Sequence, residues 1–127
     1  MNLDGDKLNH RVLIVFAAIL ILIGVLGFVV PPSAGLTSGA PAYNVFHLVS
    51  GALGLALALS RKQTFIRGFN VGFGLVDLYQ AAASFLHLFP EQHFRWTRVD
   101  DALHVVVGAL LVCVGLYDRR AHEGRRS

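Results

Sequence analysis

Two histidines hold the same position in a motif that this chain contains twice. Both copies read (Asn or Asp)-x-x-His-x-x-x-Gly-Ala-Leu; the motif residues are Asn44, His47 and Gly51 in the first copy and Asp101, His104 and Gly108 in the second. On a helix these three positions share one face. Each copy therefore presents an imidazole beside a second hydrogen-bonding side chain and a small residue.

The imidazoles suggest the chemistry that the motif would support. At matching depth on two helices of a bundle, His47 and His104 are candidate axial ligands of a haem, or single ligands of chlorophyll-type pigments. With His87 and Asp101 they also have the ligand types of a zinc or copper site, but the spacing is not a metal motif, so we predict no metal. The structural alternative is a hydrogen bond between helices, worth about 0.6 kcal/mol on average. The residues alone leave the cofactor and structural interpretations open.

A second set of polar side chains interrupts one apolar stretch. Spacings of 7, 3, 4 and 3 place its members, Asn70, Asp77, Gln80, Ser84 and His87, on one helical stripe. A carboxylate near the bilayer centre costs on the order of 3 kcal/mol on insertion scales, so Asp77 is either neutral or has a partner. Gln80, Tyr79, water and a ligand are the candidate partners. A proton-coupled carrier centred on Asp77 fits this stripe, although four helices would need to form an oligomer for transport.

The composition is that of a membrane protein. Of the 127 residues, 54% are hydrophobic and 15% are charged, whereas soluble domains have roughly 25% charged residues. No P-loop, dinucleotide, nucleophile-elbow or zinc-protease motif is present, and the lone Cys113 can form no internal disulfide. The pattern favours a non-enzymatic protein, and the net charge of +3 does not indicate nucleic-acid binding.

Four apolar runs must position these residues within one domain, 1–127. The predicted fold is all-α, an integral membrane bundle with helices at about 12–30, 42–59, 66–88 and 101–117, polar tails at 1–11 and 118–127, and a polar loop at 89–100. The first run is longer than the roughly 7–15 apolar residues of a signal peptide, so we expect it to be retained. Pro31 and Pro32 are predicted to end it.

The Lys and Arg residues predict the orientation. Nine lie in the N-terminal flank, the connection between the second and third helices and the C-terminal tail; two, Arg95 and Arg98, lie in the other connections. Because cytoplasmic segments carry the excess of these residues, both termini are predicted to be cytoplasmic. Trp96, Phe94 and Tyr43 are then expected in the aromatic belt at the opposite surface.

These features resemble a bacterial membrane family. The four spans, the stretches 44–51 and 101–108, and Asn70-Val71-Gly72-Phe73-Gly74 at the start of the third helix are similar to the family catalogued as domain of unknown function 4383, over about residues 12–117. Four-helix proteins of the DoxX type share the plan and are the rival assignment. The resemblance implies a four-helix protein of the bacterial cytoplasmic membrane, and it supplies no activity or catalytic residue.

The repeated motif also predicts the internal arrangement. Because both copies cross the membrane in the same direction, the two helix pairs are related by an axis along the membrane normal. Abundant Gly and Ala, without a catalytic motif, favour a non-enzymatic protein embedded in the lipid bilayer. We expect it to act as a homo-oligomer or as an accessory subunit of a larger membrane complex.

Overall fold

The structure, a computed structural model, describes residues 3–31 and 35–126, with side chains for 4–31 and 35–117. Within these ranges the chain forms five helices and no strand: α1 Leu3–Val29, α2 Pro41–Ser60, α3 Gln63–Leu86, α4 Glu91–Phe94 and α5 Arg98–Arg126. The predicted all-α class is confirmed. The predicted helix stop at Pro32 and the loop residues Ser33 and Ala34 lie outside the described residues.

Both terminal helices extend beyond the predicted apolar spans. α1 begins at Leu3 rather than at 12, and α5 continues to Arg126 rather than ending at 117, so the predicted polar tails are largely helical. Hydropathy marks the apolar part of a helix, whereas Lys, Glu and Arg also propagate helices well. Asp4 and Asp6 place negative charge in the first turn of α1, where the helix dipole favours it.

The predicted loop at 89–100 also contains helical residues. It includes the single turn α4 and the start of α5 at Arg98. Thr97 precedes α5 and forms a capping box with Asp100: Asp100 N donates to Thr97 Oγ1 at 3.2 Å, and Thr97 N donates to Asp100 Oδ2 at 2.9 Å. This cap explains why α5 begins three residues before the predicted start at 101.

Glycines bring the long helices together in two antiparallel pairs. α1 packs chiefly against α2, and α3 packs chiefly against α5. A Cβ at Gly51 of α2 would lie 2.9 Å from Ala17 O of α1. In the second pair, a Cβ on either Gly74 or Gly108 would lie 2.8 Å from the carbonyl oxygen of the other. A residue with a Cβ would therefore force these helices apart.

Polar contacts join the pairs at one end of the bundle, which we call the terminal end. It holds the start of α1, the α2–α3 connection and the end of α5. Asn70 Nδ2 donates to Asn9 Oδ1 at 3.0 Å, and Asn9 Nδ2 donates to Val114 O at 3.1 Å. Arg67 forms an ion pair with Asp6 nearby. These contacts link α1, α3 and α5.

A second set of polar contacts closes the opposite end, which we call the loop end. Ser38 N donates to Asp100 Oδ2 at 2.9 Å, and Thr97 Oγ1 donates to Leu36 O at 2.9 Å. The Ser38 hydroxyl also donates to Phe94 O. The α1–α2 connection is therefore fixed to the start of α5.

Three helices are long and apolar enough to cross a membrane, judged by the length and composition of the described residues: Asp4–Val29, Pro41–Ser60 and Arg98–Tyr117. α3 has 24 residues but is not among these helices, and its buried face carries Asn70, Asp77 and Gln80. Large apolar side chains are exposed on all four long helices, among them Leu22, Leu53, Phe85 and Leu110. Such an apolar exterior is typical of a surface in contact with lipid.

Candidate functional site

A cavity of about 240 Å³ lies between the two helix pairs. Its walls are Phe16, Ile19, Leu20 and Ile23 of α1, Tyr43 and His47 of α2, Asp77 of α3, and Asp100, Leu103, His104 and Val107 of α5. The structure thus brings together His47, Asp77 and His104, which the sequence predicts as site residues. It adds Tyr43 and Asp100, which were not among the predicted site residues.

His47 is held in one tautomer. Its Nδ1 lies 2.7 Å from Tyr43 O, one helical turn earlier. Because a carbonyl oxygen only accepts, Nδ1 carries the proton, and Nε2 of the neutral ring keeps a lone pair. The Tyr43 ring packs on the imidazole with the ring centroids 4.1 Å apart. His47 therefore supplies the cavity wall with a fixed hydrogen-bond acceptor.

His104 lies opposite, with less hydrogen bonding. It is 7% exposed, and its Nδ1 has no hydrogen-bond partner among the described residues. The Trp96 ring meets the imidazole edge-on, with centroids 5.9 Å apart. Trp96 and Tyr43 are buried with Ala40 and Ala83, so their rings face other side chains of the protein and not lipid. Their predicted depth at the membrane surface stays a prediction. An aromatic residue near a helix end matches the belt pattern even when its ring turns inward, as here.

Asp100 has the most extensive hydrogen bonding of the cavity residues. It is 1% exposed; Oδ1 accepts from Tyr43 OH at 2.6 Å, and Oδ2 accepts from the backbone N–H groups of Ser38 and Thr97, both at 2.9 Å. The signal for this role was the capping-box spacing of Thr97 and Asp100. The motif directed attention to its neighbour Asp101 instead.

Asp77, unlike Asp100, has a carboxyl group that no described residue hydrogen-bonds. It lines the cavity and is 4% exposed, yet within the described residues no hydrogen bond or salt bridge reaches its carboxyl group. Tyr79, a predicted candidate partner, is half-exposed and donates to Phe89 O at 2.8 Å. Burying such a group without a partner is costly. A ligand that supplies a hydrogen-bond donor would therefore gain the most binding free energy at Asp77.

Asn44 and Asp101 face away from the cavity, each toward the other helix of its own pair. Asn44 Nδ2 donates to Gly39 O at 2.8 Å, and a Cβ at Gly27 would overlap Asn44 Oδ1. Asp101 lies with Phe85 of α3 in a separate recess. In the described part of the chain, neither residue is hydrogen-bonded to its motif histidine; both fill space at a helix crossing.

The remaining polar residues of the α3 stripe lie outside the cavity wall. His87 ends α3 in the left-handed conformation, with φ 55°, and is exposed, so it is not grouped with the motif histidines. Asn70 belongs to the terminal end, where Asn9 is its partner. Gln80 is buried with Oε1 unpartnered among the described residues, and Ser84 is half-buried.

The cavity residues do not form a metal-binding cluster. Across residues 4–31 and 35–117, no group of three or more His, Cys, Asp or Glu side chains is arranged to hold a metal ion. What the cavity offers is the Asp77 carboxyl group, two imidazoles and apolar walls. This arrangement can accept hydrogen bonds from a small molecule that is partly apolar.

Comparison with protein-family models, with curated proteins and with solved structures finds no match to this chain. The family resemblance predicted from the repeated motif therefore stays a prediction.

Proposed function

We propose that this chain is an integral protein of the bacterial cytoplasmic membrane in which α1, α2, α3 and α5 cross the bilayer. The three apolar spans support this topology, and α3 accompanies them because it packs along the length of α5. The nine Lys and Arg of the terminal end, against two at the loop end, support cytoplasmic termini.

We further propose that the two helix pairs are repeats, as in the family that the motif resembles. Equivalent motif positions have equivalent neighbours, which supports this relation. Gly51 contacts α1 and Gly108 contacts α3, the other helix of each pair. Asn44 and Asp101 face those same helices, and the two histidines face the shared cavity.

The proposed biochemical role is that of a non-enzymatic subunit that associates with a second copy of itself. The observation that carries this role is the outer face of α3. A Cβ added at Gly68 or Gly72 would meet no atom of the described residues within 4 Å, so neither glycine is needed for packing against them. Two glycines four residues apart on the outer face of a membrane helix allow an identical helix to approach closely. Phe65 and Leu75 extend the same exposed surface.

Replacing both Gly68 and Gly72 with leucine is expected to separate the oligomer without unfolding the protomer. We expect the dissociation constant in mild detergent to rise at least about tenfold, because the two backbones can no longer meet. Light scattering during size-exclusion chromatography gives the mass, and circular dichroism gives the helix content. Ala52→Leu, at an exposed position on α2, is the control and should leave the mass unchanged. A monomeric wild-type protein, or an oligomer that survives the double substitution, would refute this role.

A carrier function is the second proposal, because Asp77, which has no hydrogen-bond partner among the described residues, lines a cavity between two helix pairs. A proton-coupled carrier needs a carboxyl group that exchanges a proton and a substrate in turn. Asp77→Asn is expected to abolish substrate-dependent proton flux into vesicles while the protein keeps its helix content. Asp101→Asn serves as the matched control, since Asp101 lies in a separate recess. Unchanged flux in the Asp77 variant would exclude the carrier.

The haem or pigment alternative also uses this cavity, because His47 and His104 both line it. An absorption spectrum of protein purified from haem-supplied cells tests it directly. A Soret band that disappears in His47→Ala or His104→Ala would support a cofactor protein, and a colourless preparation would exclude haem.

A further inference from the structure

We infer that the cavity between the helix pairs is a binding site for an amphipathic amine, a molecule with a protonated amino group and an apolar body. This inference rests on the cavity role proposed above, but it requires binding only and not transport. The polar groups of the cavity would bind the amino group, and its apolar walls would bind the body of the molecule.

The charge of the cavity selects the amino group. Asp77 and Asp100 are its two carboxyl groups, and no Lys or Arg is among the lining residues. The Asp100 oxygens already accept from Tyr43, Ser38 and Thr97, so Asp77 is the carboxyl group that remains available. A ligand ammonium would complete the buried charge with a charge-assisted hydrogen bond.

His47 adds to the preference of the cavity for an amino group. Nδ1–H of His47 donates to Tyr43 O, so the cavity-lining ring has only an acceptor left to offer at Nε2. An ammonium group carries several N–H donors and can bond to the Asp77 carboxylate and to this nitrogen. An anionic head group would meet the two carboxyl groups and find no Lys or Arg on the cavity wall. The Asp77 carboxylate and His47 Nε2 therefore favour a cationic head group over an anionic one.

The remaining walls select the apolar body. Phe16, Leu20 and Val107 face the same cavity, and the nearby rings of Phe16 and Tyr43 favour a cation over a neutral group. A groove of about 330 Å³ adjoins the cavity between α1 and α5 and shares Phe16, Ile19 and Val107 with it. Exposed Val15 and Leu110 continue this groove. An alkyl chain can therefore run from the cavity along the apolar surface.

Octylamine, protonated near neutral pH, is the probe, and octanol is its neutral counterpart of equal chain length. Trp96 reports binding, because it is the one tryptophan of the chain and its ring meets His104 on the cavity wall. We expect saturable quenching or a spectral shift with octylamine, and at least about tenfold weaker binding of octanol. Equal responses to both probes would overturn the inference, since they would indicate an apolar site without charge recognition.

Asp77→Asn should weaken octylamine binding at least about tenfold, because the amide keeps the shape and removes the charge. Asp101→Asn should stay within about twofold of the wild-type protein, since its side chain lies outside the cavity. Equal binding by both variants would also overturn the inference. If Asp77→Asn does not fold, the comparison of octylamine with octanol on the wild-type protein still tests whether the cavity recognises charge. Octylamine binding without any substrate-dependent proton flux would exclude the carrier function and would still support the amine-binding site.

Discussion

Replacing Asp100 with alanine is expected to lower the free energy of unfolding by about 3–5 kcal/mol. The substitution leaves the hydroxyl of Tyr43 and the backbone N–H groups of Ser38 and Thr97 without their acceptor, at a residue that is 1% exposed. Hydrogen bonds to a charged group are each worth more than neutral ones, and unpaired buried donors add a desolvation cost. The lost Thr97 N–H bond is one half of the α5 capping box; the other half, from the backbone N of residue 100 to Thr97 Oγ1, is kept.

Equilibrium unfolding in a mixed-micelle denaturant titration, followed by Trp96 fluorescence and circular dichroism, measures this loss. Asp101→Ala is the matched control: it removes the neighbouring carboxylate, whose Oδ1 has no hydrogen-bond partner among the described residues, and should cost less than about 1 kcal/mol. Tyr43→Phe removes one of the bonds and is expected to cost about 1–2 kcal/mol. Equal losses for the two aspartates would show that the Asp100 contacts are not a main source of stability.

Gly74→Ala is expected to be the second most damaging change, with a loss of about 2–4 kcal/mol. Its Cβ would lie 2.8 Å from the carbonyl oxygen of Gly108 and 3.0 Å from the backbone N of Val112. Backbone atoms cannot rotate away as a flexible side chain can, so α3 and α5 must separate. That separation also weakens the packing along the rest of the pair.

Gly72→Ala on the same helix is the control, because its Cβ would meet no atom of the described residues within 4 Å. At a dilution where the protein is monomeric, this change should be neutral or stabilise the protomer by up to about 1 kcal/mol, the helix propensity gained over glycine. The same unfolding titration serves both variants. A Gly74 variant as stable as the Gly72 variant would mean that the α3–α5 crossing adapts more easily than its geometry implies.

The sequence predicted the features that depend on a single helix. Apolar runs gave four long helices, and helical periodicity placed Asn70, Asp77 and Gln80 on the buried face of α3. The helix positions follow from local periodicity, which one chain displays directly. The repeated motif predicted matching depth for His47 and His104, and both line one cavity; the packing of the two helix pairs that brings them together was not predictable from periodicity.

Features that depend on distant segments were not predictable in the same way. Asp100 gains its role from Ser38 and Tyr43, about sixty residues away, and nothing near Asp100 in the sequence identifies those partners. Asn9 lies in a predicted polar tail, yet it is fully buried between Asn70 and Val114. A hydropathy profile places such polar residues in solvent, because it contains no information on hydrogen-bond partners from another helix.

The short α2–α3 connection bears on biosynthesis. α2 ends at Ser60 and α3 begins at Gln63, and the first helix pair is joined by its own glycine crossing before α3 is translated. Helices that emerge from the ribosome early can pair early. In the proposed topology, α3, which carries the buried Asn70, Asp77 and Gln80, enters the membrane beside a hairpin that already carries Asn9, the partner of Asn70. Under that topology, translation order would lower the cost of inserting the least apolar of the proposed spans.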